Sequence, residues 1–369
     1  MGEPTVIEKG IAHVYFAYDV GFAIDLERAQ KRFTQLTERA KIRQDKRSPW
    51  YFEFEPQPVK ISQTITEINI GNFATLPEIE ATIFDFGAIS MQIKIPFTGT
   101  LESLVDLSFL LYENEVLEKK CREVMVNLVN EIEPAIDKLM INEHFEEYKV
   151  FQITNYSMAS PLTDFIKRNA LVIAKILRSE QQDLSDDEIR DATSAHLGYT
   201  NNDLMILDWN TAILIDPKAD DVRAVIEFAN VELLQLSYLD LKLDNSLDRA
   251  YETASRLAKL KFNFPGVVNS ELRKIGRLQI DSAFLFEGIN NALKLLGDQY
   301  LARVYRMVSN KFHLEEWDKS ILRKISALES IYEKVNDQSN TFRMELLEWI
   351  IVLLFIVSIV LPFITGVPH

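Results

Sequence analysis

The sequence predicts an α+β protein: an N-terminal mixed sheet-and-helix domain, then a long antiparallel helical hairpin or coiled-coil stalk, then one C-terminal transmembrane helix. Three observations carry this. Apolar residues alternate at period two through much of the first 160 residues, they recur at helical spacing from Asp220 onward, and the stretch Trp349 to Val367 carries no charge.

In the head, 1–160, Val14, Phe16, Tyr18, Val20, Phe22 and Ile24 alternate as a half-buried strand does. Asp25 then caps a helix with Leu26, Ala29, Phe33 and Leu36 on one face. Further strands are predicted at YFEFE (51–55), VKISQTI (59–65), TIFDF (82–86), ISMQIKI (89–95) and YKVFQI (148–153). Between the last two lie two helical stretches, the second with Leu117, Cys121, Val124, Leu128 and Ile132 along one stripe. Residues 161–217 read as two helices joined by the acidic SEQQDLSDDE and then a hairpin, DLMILDW-NT-AILID, that could complete the sheet.

The stalk, 218–340, begins where Asp220 caps a helix to about residue 262, with Val225, Phe228, Ala229, Leu233, Leu236 and Leu243 on its apolar arc. Pro265-Gly266 breaks it, and a return helix is expected over 269–310. A third helix places Trp317, Ile321, Ile325, Leu328, Tyr332 and Val335 at 4-4-3-4-3 spacing, close to a heptad seam. That seam fits either an intramolecular bundle or self-association.

The terminal run, 349–367, has 19 residues and no charge. As a helix it is about 28 Å long, close to a hydrocarbon core of roughly 30 Å. Trp349 stands at the interface, Ile350, Leu353 and Phe355 face lipid, and Pro362 falls in the last turns, where a lost hydrogen bond costs least. The competing reading, a core helix of a soluble protein, would carry polar residues on one face.

The 369 residues carry a net charge of −15, and residues 266–369 balance 12 basic against 12 acidic residues, so the acidity lies before them. An acidic body repels phosphate backbones, which disfavours direct nucleic-acid binding. Cys121 is the single cysteine, so no intrachain disulfide forms. The opening MGEPTVIEKG lacks a signal-peptide apolar core, and Val6 fails the myristoylation pattern. These features lead us to expect a single-pass protein of a bacterial inner membrane with its N-terminal bulk in the cytosol.

No phosphate-binding glycine loop, no Gly-x-Ser-x-Gly elbow and no His-x-x-x-His pair occurs, and the histidines at 13, 144, 196, 313 and 369 are scattered. No cofactor and no catalytic residue are expected. Cys121 belongs to an apolar stripe, and His13 is expected at the surface or in a hydrogen bond. Carboxylates crowd the hairpin and its exit. Asp203, Asp208, Asp216 and Glu227 are therefore candidate ligands for a hard divalent cation, against turn and cap roles for the same aspartates.

The order of parts, with Leu347-Glu348-Trp349-Ile350-Ile351-Val352 before the anchor and DLMILDWNTAILID and VIEFANVELLQL in mid-chain, resembles the "required for meiotic nuclear division" family. That resemblance implies a C-terminally anchored membrane protein and, from its mitochondrial members, a tether for translation machinery. The functional expectation is a non-enzymatic scaffold or interaction module at the cytosolic membrane face, with the membrane, a second copy or another protein as partner. A membrane-anchored enzyme using a carboxylate-bound metal near 203–227 is the alternative.

Overall fold

The computed structural model describes residues 5–33, 37–39, 56–157, 161–259, 276, 280 and 299–365. The chain begins with a long strand, β1 (Val6–Asp19), a short β2 (Ala23–Ile24) and helix α1 (Leu26–Arg32). Strands β3 (Thr37–Arg39), β4 (Val59–Thr64), β5 (Asn69–Ile70), β6 (Phe73–Ala74), β7 (Glu78–Ile83) and β8 (Ala88–Thr100) follow. Then come α2 (Ser103–Leu111), α3 (Glu115–Ile132), β9 (Ile136–Asp137) and β10 (Phe145–Ser157). Helices α4 (Phe165–Arg178) and α5 (Asp186–Ala192) lead to β11 (His196–Leu197), β12 (Leu204–Leu207) and β13 (Thr211–Ile215). Among the described residues three further helices follow, α6 (Asp220–Lys259), α7 (Gln299–Lys311) and α8 (Leu314–Thr365).

Among the described residues, nine strands form one mixed sheet in the order β11-β12-β13-β10-β1-β8-β7-β4-β3. The class is thus α+β, as expected. The predicted hairpin does complete the sheet: β13 joins β10 in parallel, Phe151 opposite Ile213, while the other pairings are antiparallel. β1 lies at the centre, between β10 and β8, with His13 opposite both Val150 and Lys94. It ends at Asp19, earlier than the alternation to Ile24 implies, and β7 ends at Ile83 rather than Phe86. A tight turn into β8 explains the second difference. Gly87 adopts φ +86°, and a side chain there would run into the Gly21 carbonyl.

The period of two sorts the strands into two unlike faces. Val14, Phe16, Met91, Ile93, Phe151 and Ile213 form one core with the helices, including Leu104 and Leu107 of α2, Leu117, Cys121 and Leu128 of α3, and Ile173 and Ile176 of α4. Cys121 is fully buried there. The opposite face gathers Ala17, Phe84, Phe86 and Ala88 against Phe228, Val231 and Leu234 of α6. Asp25 caps α1 as predicted, its side chain accepting from Arg28 N, whereas Asp220 is the first residue of α6. Asn114 and Ser185 are further caps, accepting from Leu117 N and Glu188 N.

The chain divides into two compact units, one of residues 1–238 and 287–316, the other of 239–286 and 317–369. Within the second, Lys324 Nζ pairs with Asp240 and Asp244 at 2.7 and 2.6 Å. Ile321 and Leu328 of the predicted seam are buried, Trp317, Ile325 and Tyr332 are half-buried, and Val335 lies outside the described side chains. Strand 51–55, Leu36, the turn at Pro265-Gly266 and nearly all of the return helix before residue 299 also lie outside the described residues. Among the described residues no helix is long and apolar enough to cross a membrane. Side chains of the terminal run are described as far as Ser358, and those of residues 359–367, Pro362 included, lie outside.

Candidate functional site

The four candidate metal ligands do not converge on one site, although Asp203 and Asp216, beside the Leu204–Ile215 pair of the β12–β13 hairpin, border one small cavity. The Asp203 carboxylate accepts from the backbone N–H groups of Tyr199 and Thr200, both at 2.8 Å, and closes the turn before β12. Asp216 Oδ1 accepts from Lys218 N at 2.9 Å at the entry to α6. Asp208 forms ion pairs with Arg178 Nε at 2.9 Å and Lys311 Nζ at 3.4 Å. Glu227 is buried on α6, close enough to Tyr15 and Arg223 to influence both. Among the described residues no three His, Cys, Asp or Glu side chains group to hold a metal ion.

A different constellation stands out on β10. Glu147 and Lys149 are two residues apart, so their side chains leave the strand on one face. They border a cavity of about 630 Å³. Its other walls come from the link between α2 and α3 (Tyr112 and Glu113), from the first turn of α3, and from Trp209 and Asn210 at the β12–β13 turn. Glu113 turns the chain there with φ +48°, and Asn114 caps α3 at once.

Lys149 is 1% exposed. Its Nζ donates to Ser179 Oγ at 3.2 Å, lies 4.9 Å from the centre of the Tyr112 ring, and stands 4.0 Å from Glu147 Oε1. Ser179 is itself fixed, 2.9 Å from the hydroxyl of Ser108, which donates to Ile176 O. Burial pushes the Lys149 amine down to about 8, against the pull of Glu147 and Glu113. Burial likewise pushes the Glu147 carboxyl up to about 7, with Lys149 opposing and Glu113 adding to the rise. Glu147 Oε1 is buried without a hydrogen-bond partner. Two groups titrating near neutrality beside a cavity mark the place where this head has chemical capacity.

Sequence reasoning missed this site because EEYK reads as the start of a strand and a lysine there reads as solvated. It is buried where Tyr112, at the end of α2, and Ser179, at the end of α4, meet Lys149. The alternation of Glu147, Lys149 and Phe151 on the core-facing set was the one available signal.

His13, by contrast, is buried rather than at the surface, within reach of Gln152 Oε1, Gln92 Nε2 and Arg223 Nη1 at 3.2, 3.2 and 3.3 Å. Its expected hydrogen bonding is present; the solvent exposure is not, because α6 covers that face.

A family model described as "Uncharacterized protein MJ0711, N-terminal domain" matches residues 9–221. The chain belongs to this family. The MJ0711 N-terminal domain spans β1 to the start of α6, so it contains every residue bordering the Glu147–Lys149 cavity. The chain is also similar to the uncharacterized protein MJ0711 of Methanocaldococcus jannaschii, with 27% identity over 245 residues, 65% of this chain and 72% of that one. No solved structure matches. The family shown is therefore an uncharacterised one, and the resemblance to the "required for meiotic nuclear division" family gains no support from it.

Proposed function

We propose that this chain is a C-terminally anchored membrane protein whose head is a non-enzymatic interaction module, held at the cytosolic face by α8. One observation carries the reading. From Trp349 to Val357 every residue of α8 is a large apolar side chain, and each is 44% exposed or more. These nine residues cover all sides of the helix, since successive residues rotate by ~100°. Leaving such a surface in water costs on the order of 10 kcal/mol at about 25 cal/mol per Å². A bilayer removes that cost, and the uncharged sequence continues to Val367.

Helix α8 runs unbroken from Leu314 to Thr365, about 78 Å at ~1.5 Å per residue. Its earlier turns bury Ile321 and Leu328, so one helix packs at one end and is bare at the other. Self-association through the same helix belongs to the proposal. The test is fractionation of cells expressing the full chain, with extraction at alkaline pH. The parent is expected in the membrane pellet, and a chain lacking 349–369 in the supernatant. Retention of the deletion variant in the extracted pellet would sink the anchor.

A further inference from the structure

The cavity on β10 carries a charge imbalance that its own side chains do not settle. Most of its charged residues have partners: Glu115 pairs with Lys119 at 2.7 Å and Glu118 with Arg122 at 2.6 Å, and Glu146 is within hydrogen-bond distance of His144 at 3.1 Å. What is left is Glu113, which hydrogen-bonds Tyr112 but has no cation among the described residues, and Glu147 and Lys149 at 4.0 Å from each other: two carboxylates to one ammonium. Lys149 influences Glu147, and both carboxylates act on Lys149. Even so, Glu147 Oε1 is removed from water with no hydrogen bond made. The Glu147 side chain as a whole stays 15% exposed, so a donor supplied from outside can reach a carboxylate whose buried oxygen lacks a partner.

The walls specify what that donor is attached to. Tyr112, Phe145 and Trp209 border the space, and Tyr112 and Trp209 are 41% and 48% exposed. Aromatic faces attract cations and apolar groups and are poor neighbours for anions. The volume falls in the small-ligand range of roughly 300–1,000 Å³, too small for a folded partner. A bare metal ion is disfavoured by the same walls, and among the described residues no three His, Cys, Asp or Glu side chains group to hold one.

From this cavity we infer a binding site for a small organic monocation, a primary amine with an apolar body. Its ammonium sits between Glu113 and Glu147, and its body lies against Tyr112, Phe145 and Trp209. One added positive charge neutralises the three residual charges.

The proposal implies a direction with pH. Glu147 is faced by Lys149 on β10, Glu113 after α2, Tyr18 on β1 and Cys121 on α3. Its carboxyl, held up near 7, is largely neutral at pH 6 and charged at pH 8, so amine affinity rises across that interval. Lys149, held down near 8, loses its repulsion toward the ligand as pH passes 8, which acts in the same sense.

The experiment is isothermal titration of the detergent-solubilised full chain at pH 8 with 2-phenylethylamine, phenylacetate of matching shape, and detergent alone as blank. The amine is expected to bind and phenylacetate not to. Glu147→Gln is expected to weaken the amine at least tenfold and to abolish the rise between pH 6 and 8. Should that variant misfold, Glu113→Gln, on an exposed turn, is expected to weaken binding at least threefold. Absence of amine binding, equal binding of the acid, or unchanged affinity in the folded glutamine variants would overturn the site. The outcome is independent of whether α8 inserts into a membrane.

Discussion

Replacing Asp208 with asparagine is expected to leave the chain within about 1 kcal/mol of the parent, although the aspartate is buried between two cations. Breaking a buried pair typically costs roughly 3–5 kcal/mol, because a charge is left uncompensated. Here that condition fails. Arg178 and Lys311 are 21% and 19% exposed, and both keep Asp191, at 2.5 and 3.6 Å. Burial, moreover, pushes the Asp208 carboxyl above the usual carboxylate range, and Arg178 and Lys311 only partly offset it. A folded-state pKa above the unfolded one means the contribution to stability is present below the unfolded value and lost as pH rises through the folded one. At pH 7 the charge therefore weighs against the fold. Asparagine removes it and keeps the oxygen that accepts from Trp209 N at 2.9 Å. Alanine loses that acceptor as well and is expected to cost about 2 kcal/mol. Urea unfolding of the three chains at pH 7, with and without Mg²⁺, measures this. A loss above 3 kcal/mol in the asparagine variant refutes the reasoning, and one seen only with Mg²⁺ would restore the metal reading of Asp208.

Gly87→Ala is expected to cost about 3 kcal/mol by urea midpoint, since φ +86° is strained for alanine and its Cβ meets the Gly21 carbonyl; an unchanged midpoint would refute the turn. His13 is held well below its usual range by burial first and then by Arg223, Lys94 and Lys60. Its neighbours fit the neutral ring protonated at Nε2: Gln152 Oε1 accepts, and Gln92 and Arg223 donate toward Nδ1. The unfolded chain thus takes up a proton below about pH 6.5 that the folded chain refuses, so stability falls with falling pH by up to about 1.4 kcal/mol per unit. Unfolding midpoints at pH 7.5 and 5 measure the loss, His13→Gln is expected to reduce it, and parallel curves for the two chains would count against the assignment.

Much of the head was legible because its signals are local. Asp25 caps α1 within three residues, and the stripe Leu117, Cys121, Val124, Leu128 and Ile132 fixes the face of α3. Strand β8 reads directly from Ile89, Met91, Ile93 and Ile95. The carboxylates of 203–227 misled because proximity in sequence does not make four groups converge: Asp203 and Asp216 border one small cavity but serve turns, Asp208 faces cations, and Glu227 lies on a helix. The Glu147–Lys149 cavity was illegible for the converse reason. Its walls lie at 112–119, 145–149 and 209–210, and only the sheet order brings them together.

The burial of His13 follows from a sheet whose second face is also covered. Alternation along β1, β8 and β10 assigns His13, Tyr15, Gln92 and Gln152 to one side, and a sequence reading sends such a set to solvent. Helix α6 instead covers it with polar residues of its own. Arg223 reaches His13 Nδ1, Asn230 Nδ2 donates to Glu146 O at 3.3 Å, and Gln235 Nε2 to Asp19 Oδ2 at 2.9 Å. These contacts span twelve residues, about 18 Å of helix, and fall on β1 and β10. Ser90 Oγ, Arg223 Nε and Glu227 Oε1 remain buried without partners among the described residues, so the layer is not optimised for stability. It does fix position. Sliding α6 by one turn, about 5.4 Å, would break all three contacts at once, whereas the apolar contacts of Phe228, Val231 and Leu234 would merely exchange neighbours. A polar seam of this kind holds the long helix in one register on the sheet, a property that a stripe of hydrophobic residues does not supply.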